Sequence, residues 1–300
     1  AQDIYTEILK QYPAYERLDE VIYRLGAGLI EAGKGAQAVT YLQKLVKNYP
    51  NSKYIPEAHL ALGEFFFKKE MLSLAKDNYE KVLKYQDNQL YDFALYKYGW
   101  VLFNLTEYRQ SVDTFKSVVE RTGTKIGFQN QAINDLVVVY AEIDNGWLEV
   151  REYLMKKKGS EFTYKKLGQM AGLYEAQGKD DKAVDIYEWF VKTKPDDAQV
   201  PQWAESILIA VKKVTNDDDV SGLEKSMNRF IAYFDPAGTW WAKNKNDEKA
   251  TNNATVLTDA SLAYLSNFFH MRAQRTDEKE SYVKAAGYYE AYIKRFPNSA

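Results

Sequence analysis

Residue types that carry enzymatic chemistry are scarce in this chain of 300 residues. It has no cysteine and two histidines, His59 and His270, and neither lies in a serine-based nucleophile pattern. Residues 24–31 contain part of a dinucleotide-binding pattern, but Glu31 replaces the third glycine and no strand precedes it. Residues 33–35 lack the remainder of a phosphate-binding loop. We therefore predict no catalytic site and no cofactor, and we interpret both histidines as packing or helix-surface residues.

Three consecutive carboxylates, Asp217, Asp218 and Asp219, could attract a cation. Calcium loops place their carboxylates at alternate positions and end on a bidentate glutamate. This run has neither feature, so we interpret it as a solvated turn and predict no metal site.

A recurring spacing indicates the elements that must position any functional residue. A small residue, a large apolar residue four positions later and a turn residue eight positions after that recur along the chain. Ala38, Ala75 and Ser111 are 37 and 36 residues apart. The same pattern occurs at Ala1/Tyr5/Pro13, Ala38/Leu42/Pro50, Ala75/Tyr79/Asp87, Ser111/Phe115/Gly123, Ala183/Tyr187/Pro195 and Ala285/Tyr289/Pro297.

A second small residue recurs twelve positions earlier, at Gly26, Gly63, Gly99 and Ala171. Glycine inside a helix costs about 1 kcal/mol, so its return at a fixed phase indicates a close helix crossing. The sequence therefore predicts an all-α, right-handed superhelical solenoid of antiparallel helix pairs.

These residues resemble the tetratricopeptide repeat (TPR) family, whose pattern is Trp-x2-Leu-Gly-x2-Tyr, then Ala-x3-Phe, then Pro. Ile22, His59 and Leu95 stand where the family has tryptophan, and the period is 36 or 37 residues instead of the family's 34. We predict a single solenoid over residues 1–300 that is a fragment of a longer array. Repeats are regular over 1–197 and degenerate over 198–300, with an inserted loop near 235–253 and a long helix near 254–275.

The resemblance implies a binding groove, because in this family four first-helix positions per repeat face the concave surface. With Gly26, Gly63 and Gly99 as the reference glycines, Glu20, Glu57 and Glu64 fall among these positions. The candidate partner-binding residues are Tyr23, Leu60, Phe67, Phe93, Tyr96, Trp100 and Phe103. They could anchor an apolar helix or an extended segment. The alternative is that curvature packs some of them against the next repeat. The Lys/Asn carboxylate clamp of co-chaperone TPR proteins is not present at these positions.

Trp240 and Trp241 form a candidate secondary patch within the predicted loop. Exposed tryptophans are unfavourable unless they meet a partner. The alternative, which the usual burial of tryptophan favours, is that they close the irregular end of the solenoid.

Composition narrows the class of partner to a protein or peptide. The net charge of -2 argues against nucleic acid, and no apolar run approaches the roughly 20 residues of a membrane span.

Residues 49–58 and 62–64 resemble TPR proteins of the Gram-negative envelope: the Tol–Pal coordinator, the β-barrel assembly lipoprotein and gliding-machinery proteins. The resemblance implies a periplasmic scaffold in an envelope complex, and the lack of cysteine fits that compartment. Alternatives are a cytoplasmic TPR adaptor and, more distantly, a helical-hairpin enzyme or carbohydrate-binding domain.

Overall fold

The computed structural model describes residues 2–122, 126–216 and 219–298, and in these ranges the chain forms helices and no strand. The predicted all-α class is confirmed. The helices are α1 (Gln2–Gln11), α2 (Leu18–Glu31), α3 (Gly35–Asn48), α4 (Ile55–Lys68), α5 (Leu72–Val82), α6 (Tyr91–Asn104), α7 (Tyr108–Arg121), α8 (Ile126–Ala141), α9 (Gly146–Lys158), α10 (Ser160–Ala176), α11 (Asp180–Thr193), α12 (Val200–Val214), α13 (Ser221–Tyr233), α14 (Thr239–Asn244), α15 (Glu248–Thr276) and α16 (Lys279–Arg295). The chain divides into two compact units, unit 1 over residues 1–153 and unit 2 over residues 154–300.

Unit 1 is built from helix pairs that match the repeat spacing. Helices α2 and α3, α4 and α5, and α6 and α7 pack together as consecutive pairs joined by tight turns. Helix α1 packs on α2, and α8 packs on α7. Each pair is antiparallel, because its short connection cannot run back along the first helix, as a parallel pair would require.

The predicted small-to-large contacts are present in all three pairs. A methyl group added to Gly26 would lie 2.8 Å from Leu42, and one on Gly63 would lie 2.9 Å from the Tyr79 ring. The corresponding contact of the third pair joins Gly99 and Phe115, at 3.0 Å. Leu42, Tyr79 and Phe115 are buried, and each fills the space that the opposite glycine leaves open.

The small residues of the second helices are buried as the spacing predicts. Ala38 and Ala75 are buried, and so is Ser111, which takes the alanine position in the third pair. The Ser111 hydroxyl donates a hydrogen bond of 2.8 Å to the carbonyl of Gly99, so its polar group is satisfied inside the helix crossing.

A left-handed residue ends the first helix of successive pairs. Gly33, Glu70 and Thr106 have φ values of 72°, 58° and 61°. The amide of the next residue donates back across the turn each time; in the second pair, Met71 N lies 2.9 Å from Phe66 O. This is the Schellman arrangement that closes a helix end.

Unit 2 contains the pairs α10 with α11 and α15 with α16, and between them α12, α13 and α14. The loop predicted near 235–253 is wrong, because α14 occupies 239–244 and α15 begins at Glu248. The buried side chains of Trp240 and Asn244 hold α14 in place. The carboxylate of Asp247 caps α15 by accepting a hydrogen bond of 2.9 Å from the amide of Ala250. The polar residues that suggested a loop lie on the outer faces of these helices.

Candidate functional site

The seven candidate residues lie on the first helices of three consecutive pairs in unit 1. One is on α2, two are on α4 and four are on α6. We call this set the aromatic face. Six of its members are half-buried, and Phe93 is exposed at 39%.

The α2 end of the aromatic face is a stacked tyrosine pair. The Tyr23 ring stacks on Tyr54, just before α4, with ring centres 4.6 Å apart and planes within 12°. Burial, with a smaller contribution from the charge of Glu57, raises the pKa of the Tyr23 hydroxyl. Oxygen Oε2 of Glu57 is buried without a hydrogen-bond partner among the described residues. Tyr23 and Leu60 also pack against the buried core of unit 1.

A lysine connects α4 and α6 in the middle of the aromatic face. The ammonium nitrogen of Lys97 lies 5.5 Å from the ring centre of Phe67 and 5.4 Å from that of Phe93. It also lies 3.2 Å from a carboxylate oxygen of Glu64, whose other oxygen accepts a hydrogen bond from the Tyr79 hydroxyl. This cluster therefore shows that the aromatic face can hold a cation between ring faces and a carboxylate.

Two residues of α6 contact the next helix pair and the core. The Tyr96 hydroxyl donates a hydrogen bond of 2.7 Å to Asp135 on α8, and its ring packs on Phe128 at 5.2 Å. The carboxylate of Asp135 also accepts a hydrogen bond of 3.0 Å from the side-chain amide of Gln131. Hydrogen bonds to the carboxylate lower the pKa of Asp135, but burial has the larger effect and raises it.

Two of the α6 candidates, Tyr96 and Trp100, also contact the core of their own helix pair. The ring centre of each lies 5.7 Å from that of the buried Phe115 on α7. Phe103 continues the cluster, with ring centres 5.4 Å from Trp100 and 5.6 Å from Tyr108.

The aromatic face thus combines exposed ring surface with fixed polar groups. Phe93 offers the most open ring, and Lys97 and Glu64 beside it supply one charge of each sign. Such an arrangement offers both apolar contact and charge pairing to a side chain or segment.

The two histidines contact neighbouring side chains. Nδ1 of the buried His59 lies 2.8 Å from Oδ1 of Asn78, and burial lowers the pKa of the imidazole. His270 is half-buried, 3.1 Å from the hydroxyl of Tyr289. The prediction that both serve packing or the helix surface is confirmed. The glycines of residues 24–31 lie within α2, where Gly26 meets Leu42.

The part of the chain that the structure describes contains neither a metal-binding cluster nor a membrane-spanning helix. Within residues 2–122, 126–216 and 219–298, no three acidic or histidine side chains are grouped closely enough to hold a metal ion. Of the carboxylate run at 217–219, Asp217 and Asp218 lie outside the described residues. None of the described helices combines the length and apolar character needed to cross a membrane.

The secondary patch at Trp240 and Trp241 is not an open surface. Trp240 is 1% exposed, and its indole nitrogen donates a hydrogen bond of 2.9 Å to the carbonyl of Asp197. Its ring packs against Phe234 with centres 4.9 Å apart. Trp241 is half-buried, with the Arg295 guanidinium 5.5 Å from its ring centre. Of the two interpretations of Trp240, its burial agrees with the favoured one, packing inside unit 2.

Three residues that shape the aromatic face are absent from the sequence-based prediction. Lys97 follows Tyr96 on α6 and does not occupy a predicted groove position. Its side chain is nevertheless long enough to place the ammonium group on the aromatic face. Tyr54 precedes α4 and lies outside any first-helix position, and Asp135 belongs to α8, in the following repeat. Only the charge of Asp135, the single charged residue of α8, could have indicated it.

Comparison with known proteins supports the repeat register. Residues 20–52 and 93–121 match the family model described as "Tetratricopeptide repeat", and these segments fall on α2 with α3 and on α6 with α7. The predicted TPR resemblance is therefore supported for two pairs of unit 1. No curated protein sequence matches the chain.

Several solved structures have a similar helix arrangement. The C-terminal part of a TPR repeat-containing protein from Cytophaga hutchinsonii is 14% identical, with a TM-score of 0.42, covering 92% of this chain and 96% of that one. A tetratricopeptide repeat protein from Parabacteroides merdae is 13% identical, with a TM-score of 0.43, covering 93% and 99%. YrrB, described as a TPR protein with an unusual peptide-binding site, is 15% identical, with a TM-score of 0.43, covering 68% and 100%.

Proposed function

We propose that the chain is a non-catalytic scaffold that binds a segment of a partner protein on the aromatic face of unit 1. The observation that carries this proposal is the exposed ring of Phe93, set among half-buried aromatic side chains on a surface built by three repeats. Aromatic side chains in such settings contribute much of the energy of protein interfaces. The match of two helix pairs to the TPR model supports the same class of function.

The partner segment on this proposal is an apolar helix or an extended stretch. Its side chains cover Phe93 and the exposed edges of Phe67 and Trp100, and its polar groups meet Lys97 and Glu64. Tyr96 contributes chiefly by holding α6 against α8, because its hydroxyl is already bound to Asp135.

Site-specific photocrosslinking in the native cell tests the proposal. A benzophenone amino acid replaces Phe93 in one variant and Tyr85 in a control variant. Tyr85 is a suitable control because it is 40% exposed and lies outside the aromatic face. We expect a discrete adduct with another protein from position 93 and none from position 85. Equal adducts from both positions, or none from 93, would contradict partner binding on this face.

We further propose that the scaffold works in the periplasm, within an envelope complex. The lack of cysteine supports an oxidising compartment. Protease treatment of cells before and after permeabilisation of the outer membrane tests this location. Digestion should require only outer-membrane permeabilisation, whereas resistance until the inner membrane is lysed would indicate the cytoplasmic alternative.

A further inference from the structure

The long helix α15 in unit 2 has an unusual exposed stripe. Tyr264, Phe268, Met271 and Arg275 follow one another at steps of four, three and four residues, so they lie along one side of the helix. Met271 is 70% exposed. The rings of Tyr264 and Phe268 are nearly parallel, with centres 6.0 Å apart. We call these four residues the α15 stripe.

An open concavity of about 600 Å³ lies against the α15 stripe. The described residues that line it all belong to α15, and Asn267 adds a polar edge. Its size is within the range of about 300–1,000 Å³ that is common for binding sites.

Comparison with a regular repeat shows what normally covers this side of a first helix. Ala273 of α15 corresponds to Gly99 of α6, since each lies twelve residues before the small residue of its second helix. In this register, Phe268 and Arg275 correspond to Ala94 and Val101.

In α6 that side is covered by the second helix of the preceding pair. Ala94 and Val101 are fully buried, in one cluster with Tyr79 and Val82 of α5. In α15 the corresponding Phe268 is half-buried and Arg275 is exposed. Helices α12 and α13 also pack on α15, but Phe268 and Arg275 remain less buried than Ala94 and Val101. The α15 stripe therefore includes positions that are covered in the regular repeat and uncovered here.

Cationic side chains outnumber carboxylates around the α15 stripe. Lys212 of α12 holds its ammonium nitrogen 4.7 Å from the ring centre of Tyr264, and Glu205 lies near the same ring. Arg272 forms an ion pair of 3.4 Å with Glu278. Arg275 has no ion-pair partner within residues 219–298 or the other described ranges. Apolar rings with an excess of cations favour an acidic, apolar binding partner.

We propose that the α15 stripe docks an amphipathic helix of a partner protein that carries apolar residues at three- and four-residue spacing and carboxylates facing Arg275 and Lys212. The helix covers the positions of α15 that correspond to the buried positions Ala94 and Val101 of α6. This second docking surface lies in unit 2, so it is independent of the aromatic face.

A display selection tests the proposal with helical peptides as the probe. Peptides with randomised surface positions are selected on the full chain, and those that also bind the Met271→Ser/Arg275→Glu double variant are removed. We expect the remaining peptides to carry apolar residues at helical spacing and a net negative charge. A synthetic copy of a selected peptide should bind the Arg275→Glu variant at least tenfold more weakly than it binds the original chain. A version of that peptide with lysines in place of its acidic residues should bind the Arg275→Glu variant better than it binds the original chain.

Met155→Ser is the matched control, because Met155 is also an exposed methionine of unit 2, at 41%, and lies on α9. It should leave the affinity within twofold. The proposal is overturned if no peptide survives removal, or if the survivors are neutral or basic. It is also overturned if light scattering shows that the chain self-associates through Met271 and Arg275, since the occupant would then be a second copy.

Discussion

Three glycines of unit 1 each lie under one large side chain of the following helix. The close approach depends on the missing Cβ, because Leu42, Tyr79 and Phe115 would each meet an added methyl group at 3.0 Å or less. This contact was predictable from spacing alone, since a small residue and its large partner are both visible in the sequence.

Gly63→Ala tests the contact in the second pair. Alanine favours a helix over glycine by about 1 kcal/mol, but overpacking against the rigid Tyr79 ring costs about 1–3 kcal/mol. We expect a net loss in the free energy of unfolding, measured by urea denaturation. Gly28→Ala is the control, because an added methyl group there meets only the Gln2 side chain at 3.8 Å. It should raise stability by about 0.5–1 kcal/mol. Equal effects of the two substitutions would contradict the assigned crossing.

His59 gives unit 1 a pH dependence. Burial lowers the pKa of its imidazole in the folded chain, so the unfolded chain takes up the proton first as the pH falls. The contribution of the neutral imidazole to the free energy of unfolding is complete above the pKa of the unfolded state, about 6.5. It is lost progressively below that pH, by at most about 1.4 kcal/mol per pH unit. We expect this loss in unfolding measurements between pH 7.5 and 5. His59→Gln should lack it, and parallel curves for the two proteins would count against the assignment.

At the scale of elements, the turns between paired helices repeat one conformation with different residues. Gly33 suits its positive φ, whereas Thr106, at φ 61°, is β-branched and strained there. Thr106→Gly should therefore stabilise the chain by about 1 kcal/mol, measured as a shift in the urea midpoint. Thr106→Ala is the control and should change stability less, because alanine keeps a Cβ in the left-handed region. Destabilisation by the glycine would contradict the strain.

Trp240 is the larger of the two buried side chains that hold helix α14 in place. Trp240→Ala removes the packing on Phe234 and the hydrogen bond to the Asp197 carbonyl, so we expect a loss of about 3–5 kcal/mol. Circular dichroism during urea denaturation measures it. Trp241→Ala should cost clearly less, because Trp241 is only half-buried. Similar losses for both would show that Trp240 does not hold α14.

The α14 region also shows where element prediction from this sequence ends. The regular pairs follow from repeated spacing, but residues 235–253 contain no repeat to compare. Their Lys, Asn and Asp residues indicate a loop on composition. The structure instead buries Trp240, Asn244, Ala250 and Ala254, spaced along two short helical faces. Tertiary contacts with residues 196 and 197 decide this outcome, and their distance along the chain hides them from a local pattern.

At the scale of the whole molecule, the sequence supports the fold class and the repeat register in detail. The prediction of one right-handed superhelix over residues 1–300 concerns the arrangement of the entire chain, and it stays a prediction. The position of the aromatic face was predictable, because the repeat spacing assigns all seven residues to the first helices of three consecutive pairs. Its contacts were not, since the rings of Tyr96 and Trp100 also reach Phe115, and the Tyr96 hydroxyl binds Asp135.

These contacts determine which residue best tests binding. Trp100→Ala would remove packing on Phe115 together with any partner contact, so lost affinity and lost stability would be confounded. Phe93 contacts Lys97 and is otherwise the most open ring of the aromatic face.

The most direct test of the account is the affinity of the crosslinked partner for Phe93→Ala, measured by calorimetry beside the original chain and Tyr85→Ala. We predict that Phe93→Ala weakens binding by about 2 kcal/mol, near thirtyfold, while its unfolding free energy changes little. Tyr85→Ala should bind like the original chain. Unchanged affinity of Phe93→Ala, or equal weakening by both substitutions, would contradict binding on the aromatic face.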